Sequence, residues 1–270
     1  MDEEKKCVNC QVTVTELYCP ACGQKQTVKR LTFREGWNDF WARIYGFDGM
    51  FPRTLRDLTI RPGIASRRFI EGNRVAYYGP VGYFFLMITL LYLVASLLEI
   101  DLVEFLKGSA DLGMQAPPPK GSNQEQFMQA AMRYVSDNLK LVSFIMIPMQ
   151  AFFARYVFFR KSGLNFIENM VLPFYVLGHM YWLSISSLIT YSLTGNFISP
   201  WVQTIIGLTY FSFAYANHFQ YQSKLKAFFK GLGVYIGTQF MFGILVAIVV
   251  VMLIVMNPSV FEMLRPSNNP

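Results

Sequence analysis

Long apolar runs constrain this chain more than any other feature. A bilayer core about 30 Å thick takes roughly 20 apolar residues per helix, because an α-helix rises about 1.5 Å per residue. Five stretches reach or approach that length: Gly79 to Leu98, Leu139 to Phe159, Val171 to Leu193, Pro200 to Asn217 and Leu232 to Met256. Backbone groups in hydrocarbon find no water, so such runs fold as helices. The expected fold class is an all-α integral membrane protein with about five transmembrane helices behind a small cysteine-bearing head. The fourth stretch is the least apolar, carrying Gln203 and Asn217, and a buried hairpin or re-entrant segment is its competing reading.

Orientation follows from where Lys and Arg lie. Thirteen of the 24 precede residue 79; Arg155, Arg160 and Lys161 follow the second run, and Lys224, Lys226 and Lys230 open the fifth. With five spans these groups share one side, which predicts the N-terminus inside and the C-terminus outside. The loop after the first run is acidic instead, with Glu99, Asp101, Glu104, Asp111, Glu125 and Asp137. The early residues are charged and lack the apolar core of a cleaved leader, so the first span is expected to act as an insertion signal. The net charge of +7 sits mostly beside membrane helices, where anionic headgroups attract it, and no nucleic-acid partner is expected.

The cysteines occur as Cys7-x2-Cys10 and Cys19-x2-Cys22. Each CxxC turn brings two thiolates to one side of a metal, and two such knuckles close a four-thiolate structural zinc site of ribbon type. Pro20 and Gly23 suit the second knuckle, and residues 11–18 alternate enough for a small hairpin across it. The alternatives are two disulfides, which a reducing compartment disfavours, a redox or regulatory thiol role, and an iron–sulfur cluster. A closed site folds its domain and leaves no coordination position for a substrate.

Between head and first span, Phe33, Trp37, Phe40, Trp41 and Ile44 recur at helical spacing, which predicts an amphipathic helix within Leu31 to Gly49. Two short helices broken at Pro62-Gly63 come next, with a turn at Gly72-Asn73. They carry Arg53, Arg56, Arg61, Arg67, Arg68 and Arg74, a guanidinium series that fits an anionic lipid headgroup or a soluble phosphate and equally fits ordinary positive-inside anchoring. The two CxxC pairs, Arg61-Pro62-Gly63, Gly72-x-Arg74 and Tyr77-x2-Pro80 together resemble an uncharacterised bacterial membrane family, domain of unknown function 3667, common in the Bacteroidota. The resemblance implies a zinc ribbon joined to a helical membrane domain in a bacterial inner membrane. It carries no established activity or catalytic residues.

After the first span, Ala116 to Gly121 is a turn-rich breaker. Ser122 with Glu125 then forms a capping box opening an external helix. Polar residues within the later runs are candidates for an intramembrane site: Gln150, Arg155, His179, Asn217 and His218. Their competing roles are snorkelling for Arg155, a helix-carbonyl bond for His179 and an interfacial place for His218.

The expected domains are a ribbon over 1–27, basic interfacial helices over 28–78, a transmembrane domain over 79–257 with external loop and helix at 100–138, and a tail over 258–270. The favoured function is a membrane-anchored zinc-ribbon adaptor, assembly or regulatory protein that binds anionic lipid, with a protein partner or a second copy of itself. A transporter or channel for an anionic solute or lipid is the alternative. An enzyme ranks third, for want of a nucleophile with its base, paired acids or an open metal site.

Overall fold

The computed structural model describes residues 6–7, 10–22, 49–74, 76–110 and 122–256. The expected amphipathic helix of Leu31 to Gly49, apart from Gly49 itself, lies outside the described residues, as do Gly23, the breaker at 116–121 and the tail from 258. The chain divides into two units, Met1–Asp48 and Gly49–Pro270.

The second unit is all-helical. Its described helices are α1 (Met50–Ile60), α2 (Ile64–Ile70), α3 (Pro80–Leu97), α4 (Leu102–Ala110), α5 (Asn123–Asp137), α6 (Leu139–Phe152), α7 (Glu168–Thr194), α8 (Pro200–His218) and α9 (Lys224–Met256). The sequence expectation of two short helices broken at Pro62-Gly63 holds, with turn residues at Glu71 and Gly72. α1 stops at Arg61 because the residue before a proline is driven out of the helical region. α3 and α8 both begin on a proline, whose missing N–H has no partner to lose there. At the head of α5 the Ser122 hydroxyl accepts from the Glu125 amide at 3.2 Å, as the capping pattern predicts. α7 opens on a reciprocal pair: the Glu168 amide donates to Asn165 Oδ1 at 2.8 Å, and the Asn165 amide donates to Glu168 Oε2 at 2.7 Å.

Four helices are long and apolar enough to cross a membrane: Pro80–Leu97, Leu139–Phe158, Glu168–Thr194 and Lys224–Met252. The chain is thus a multi-span helical membrane protein. α8 has 19 residues and falls below the other four in hydropathy, in keeping with the polar residues noted in that run. It nevertheless packs along α9 and α7. In lipid such packing depends on close backbone approach more than on burial of apolar area. α6 ends in a π-helical stretch, Phe153–Phe158. Phe158 and Phe153 lie over Gly233 and Gly237 of α9, where a Cβ would stand 2.5 and 2.8 Å from their rings. The far half of α9 is exposed, with Val251, Met252, Val255 and Met256 bare, as suits a helix facing lipid.

The two ends of the bundle differ in charge. At one end the Tyr191 hydroxyl donates to Glu104 Oε1 at 2.9 Å, and Phe197 stacks on Tyr191 at 3.9 Å, bringing Glu104 of α4 against the α7–α8 loop. At the other, where α8 finishes, Phe219 stacks on Phe159 at 4.0 Å and Lys230 sits over the Phe159 ring.

A candidate metal centre and an arginine hairpin

In the first unit Cys7, Cys10, Cys19 and Cys22 converge, with all four sulfurs within 4.8 Å of one another. Cys7 Sγ lies 3.6 Å from Cys22 Sγ, and Cys10 Sγ lies 3.5 Å from Cys19 Sγ. A disulfide needs about 2.05 Å, whereas sulfurs around a tetrahedral ion with bonds of about 2.3 Å stand roughly 3.8 Å apart. The four thiols are unbridged, and their spacing fits a metal. Local folding supports the approach: Cys7 N–H donates to Val12 O, Gln11 N–H donates to Cys7 O, and Gln11 takes a left-handed φ of 61°. An antiparallel bridge, Lys6 with Thr13, closes around the first CxxC turn rather than within residues 11–18, where the hairpin was expected. A hydrogen bond from Val12 lowers the Cys10 pKa, yet contacts with Cys22 and Cys19 outweigh it and push the thiol up to about 12. Crowded thiols resist ionising together, and a divalent cation reverses that balance. Among the described residues of this unit Cys7, Cys19 and Val14 are the buried ones, while Val12, Leu17 and Tyr18 are exposed.

In the second unit α1 and α2 form a hairpin seated on the bundle. Its tip is the Arg61-Pro62-Gly63 turn. Gly63 has φ 92°, and a Cβ on it would fall 2.1 Å from the Ala214 carbonyl oxygen and 2.9 Å from the His218 nitrogen. Only glycine allows the turn to press so tightly on the α8 backbone. His218 Nδ1 lies 2.8 Å from Ser66 Oγ. Nearer the middle of the bundle, His179 Nε2 lies 3.2 Å from Thr59 Oγ1 and its Nδ1 lies 2.8 Å from the Tyr83 hydroxyl, with the ring stacked against Tyr210. Tyr210 in turn donates to Leu58 O at 3.1 Å, and Thr54 Oγ1 accepts from Tyr78 N–H at 2.9 Å. Both histidines therefore hold the hairpin to the bundle.

The arginine series is organised by a carboxylate. Asp57 is 1% exposed and accepts from Tyr77 at 2.8 Å, from Arg56 at 3.0 and 3.1 Å, and from Arg61 at 3.2 Å. Arg68 donates to the Tyr77 hydroxyl at 3.2 Å, which completes a relay into Asp57. Burial pushes the Asp57 carboxyl up, but the hydrogen bonds from Tyr77, Arg56 and Arg61 together hold it below its ordinary range. Arg67 pairs with Glu71 at 3.6 Å, and Arg74 lies over the Phe69 ring. Arg53, Arg56, Arg61, Arg68 and Arg74 are all exposed. The importance of Asp57 and Tyr77 was not read from the sequence, although an acid inside a guanidinium-rich helix is itself a signal.

The intramembrane candidates occupy several places. Gln150 is buried on α6, with Oε1 lacking a partner among the described residues. Arg155 donates to Arg160 O at 3.2 Å and lies over Tyr156. Asn217 is 9% exposed near the end of α8. Among the described residues no hydrogen bond or ring contact joins Gln150 or Arg155 to either histidine. A groove of about 270 Å³ lies between α7, α8 and α9, lined by Leu177, Met180, Gln203, Thr204, Gly207, Phe211 and Tyr235. It contains neither histidine.

Residues 48–92 match a family model described as Protein of unknown function (DUF3667). That segment spans the hairpin, the Asp57 relay, Tyr77 and most of α3, and it stops short of the four-cysteine cluster and the remaining helices. No curated protein and no solved structure matches the chain.

Proposed function

We propose that this chain is a bacterial inner-membrane adaptor or assembly protein whose four-cysteine head is a structural zinc ribbon that recruits a protein partner at the cytoplasmic face. The observation that carries the reading is the combination of a closed thiolate set with outward-facing Val12, Leu17 and Tyr18. Four thiolates use every position of a tetrahedral ion, so the metal organises the fold rather than attacking a substrate. The surface left over has the apolar character of a recognition patch.

The membrane unit is an anchor of five spans in this reading, with α8 as the fourth. A 19-residue helix is about 28 Å long. Its start lies by the acidic end of the bundle and its finish by the lysines, which favours a full crossing. Basic residues gathered at the second end favour a cytoplasmic side there, with the N-terminal head inside and the C-terminus outside. The exposed arginines of the hairpin, Arg53 and Arg74 above all, then face anionic headgroups.

Gentle detergent extraction tests the adaptor reading. A protein partner should co-purify at fixed stoichiometry and be lost from the Cys19→Ser chain; a complex of unchanged composition in that variant counts against it. The transporter alternative rests on Gln150, a buried amide with an unpartnered oxygen, two residues beyond Pro148 and just before a π-helical stretch. It requires solute flux in proteoliposomes that falls on Gln150→Leu.

A further inference from the structure

The end of the bundle where α8 meets α9 holds more positive charge than its neighbours neutralise. Lys230, in the second turn of α9, is half-buried. Its Nζ donates to Gln222 Oε1 at 2.9 Å and stands 5.5 Å from the centre of the Phe159 ring. Phe159 is fully buried and stacked against Phe219 and Tyr215, so the lysine rests on a fixed platform. The charges of Lys226, one turn earlier, and of Lys161, in the turn after α6, both act on this ammonium. Among the described residues none of these three lysines forms an ion pair with a carboxylate. Like charges four apart on a helix repel, so Lys226 and Lys230, with the charge of Lys161 also acting on Lys230 and no acid paired to any of them among the described residues, lack their counter-charge.

Gln222 supplies a second, independent sign. An ammonium has no lone pair, so the atom that accepts from Lys230 must be the amide oxygen, and the orientation of the amide follows. Its Nε2 is buried and has no acceptor among the described residues. Buried donors left unpaired are rare, and here the missing partner is an acceptor on the amide that already holds the Lys230 ammonium. A phosphate group supplies several oxygens at once, enough to take the amide N–H and charge-assisted bonds from the lysines. On the same turns Tyr221, Leu225 and Phe229 are exposed, an aromatic and apolar fringe suited to the headgroup layer.

We propose that Lys161, Lys226, Lys230 and Gln222 Nε2 form a phosphate-binding site separate from the arginine hairpin and outside the segment that matches the family model. The phosphate belongs either to an anionic phospholipid or to the free anion. The site is independent of the ribbon's role.

The full chain in mild detergent tests it in two arms. Native mass spectrometry measures retention of phosphatidic acid against phosphatidylcholine offered in equal amounts, and phosphorus NMR follows line broadening of inorganic phosphate alone. Selective retention in the first arm assigns a lipid, and broadening in the second assigns the free anion. The responding arm should weaken about tenfold in Lys226→Gln and again in Gln222→Leu, and stay unchanged in Arg53→Gln. Lys226 is exposed, so its variant keeps the fold. Absence of selectivity in both arms overturns the site. So does loss with Lys226→Gln while Gln222→Leu binds normally, since that is the diffuse attraction of any basic membrane face, and so does an equal loss in Arg53→Gln.

Discussion

The Tyr77 hydroxyl donates a 2.8 Å hydrogen bond to Oδ2 of Asp57, 20 residues earlier, and this one bond ties the lead-in of α3 to the inner face of α1. Arg56 and Arg61 reach the other carboxylate oxygen from the same helix and its end. Part of the guanidinium series thus neutralises a buried acid. Replacing Asp57 by Asn removes the charged acceptor. Because the Arg56 and Arg61 side chains are 60% and 47% exposed, water covers much of their loss. The expected cost is about 1–3 kcal/mol, dominated by buried Tyr77, and thermal unfolding in detergent measures it.

The same contact predicts a pH dependence. The folded Asp57 carboxyl lies below its ordinary value, so its stabilisation is fully present above the usual carboxylate range near pH ~4. It is lost as pH falls through the lower folded value. The difference in unfolding temperature between the native chain and Asp57→Asn should therefore hold at neutral pH and close in acid; a gap that widens in acid contradicts the relay.

Gly63→Ala meets two penalties together, a left-handed φ of 92° and a carbonyl oxygen 2.1 Å from the new Cβ. The loss should reach about 3 kcal/mol or more, through lifting of the hairpin from α8. Hydrogen exchange at α1 and α2 should rise while exchange in α9 stays as it was. Unchanged protection of the hairpin refutes the packing.

The helices, their breaks and the cysteine cluster were legible in the sequence because each rests on local chemistry: apolar length, Pro62 with Gly63, the Ser122 cap, two CxxC turns. The partners of His179 and His218 were not. Thr59 is 120 residues from His179 and Ser66 is 152 from His218, and a single sequence carries no sign of pairings over such distances. Lys161, Lys226 and Lys230 were read for orientation alone, since their convergence depends on the packing of α6 against α9. The π-helical stretch was equally hidden, since the glycines that Phe153 and Phe158 pack over lie about 80 residues further along the chain.

Five crossings make a prediction that four do not. All native cysteines lie in the head, so single reporters are clean against a head-thiol background. In intact cells Asn196→Cys should react with an impermeant maleimide, and Ser223→Cys should react only after permeabilisation. Matching reactivity at both positions removes α8 from the spanning set.

Metal removal should act on one unit only. A strong chelator at neutral pH should release one zinc per chain and abolish protection of residues 10–22, while the melting of the helical unit is unchanged. Intact-mass detection of two disulfides in freshly reduced-lysate protein, with no metal, contradicts the thiolate site.

The proposed recruiting role of the four-cysteine head is tested most directly by a photo-crosslinking amino acid at Leu17, a position 65% exposed between the two cysteine pairs. Irradiation in living cells should give one protein adduct of defined mass, absent when Cys19→Ser is introduced into the same chain. Adducts to lipid alone, or a protein pattern that survives Cys19→Ser unchanged, would contradict the account.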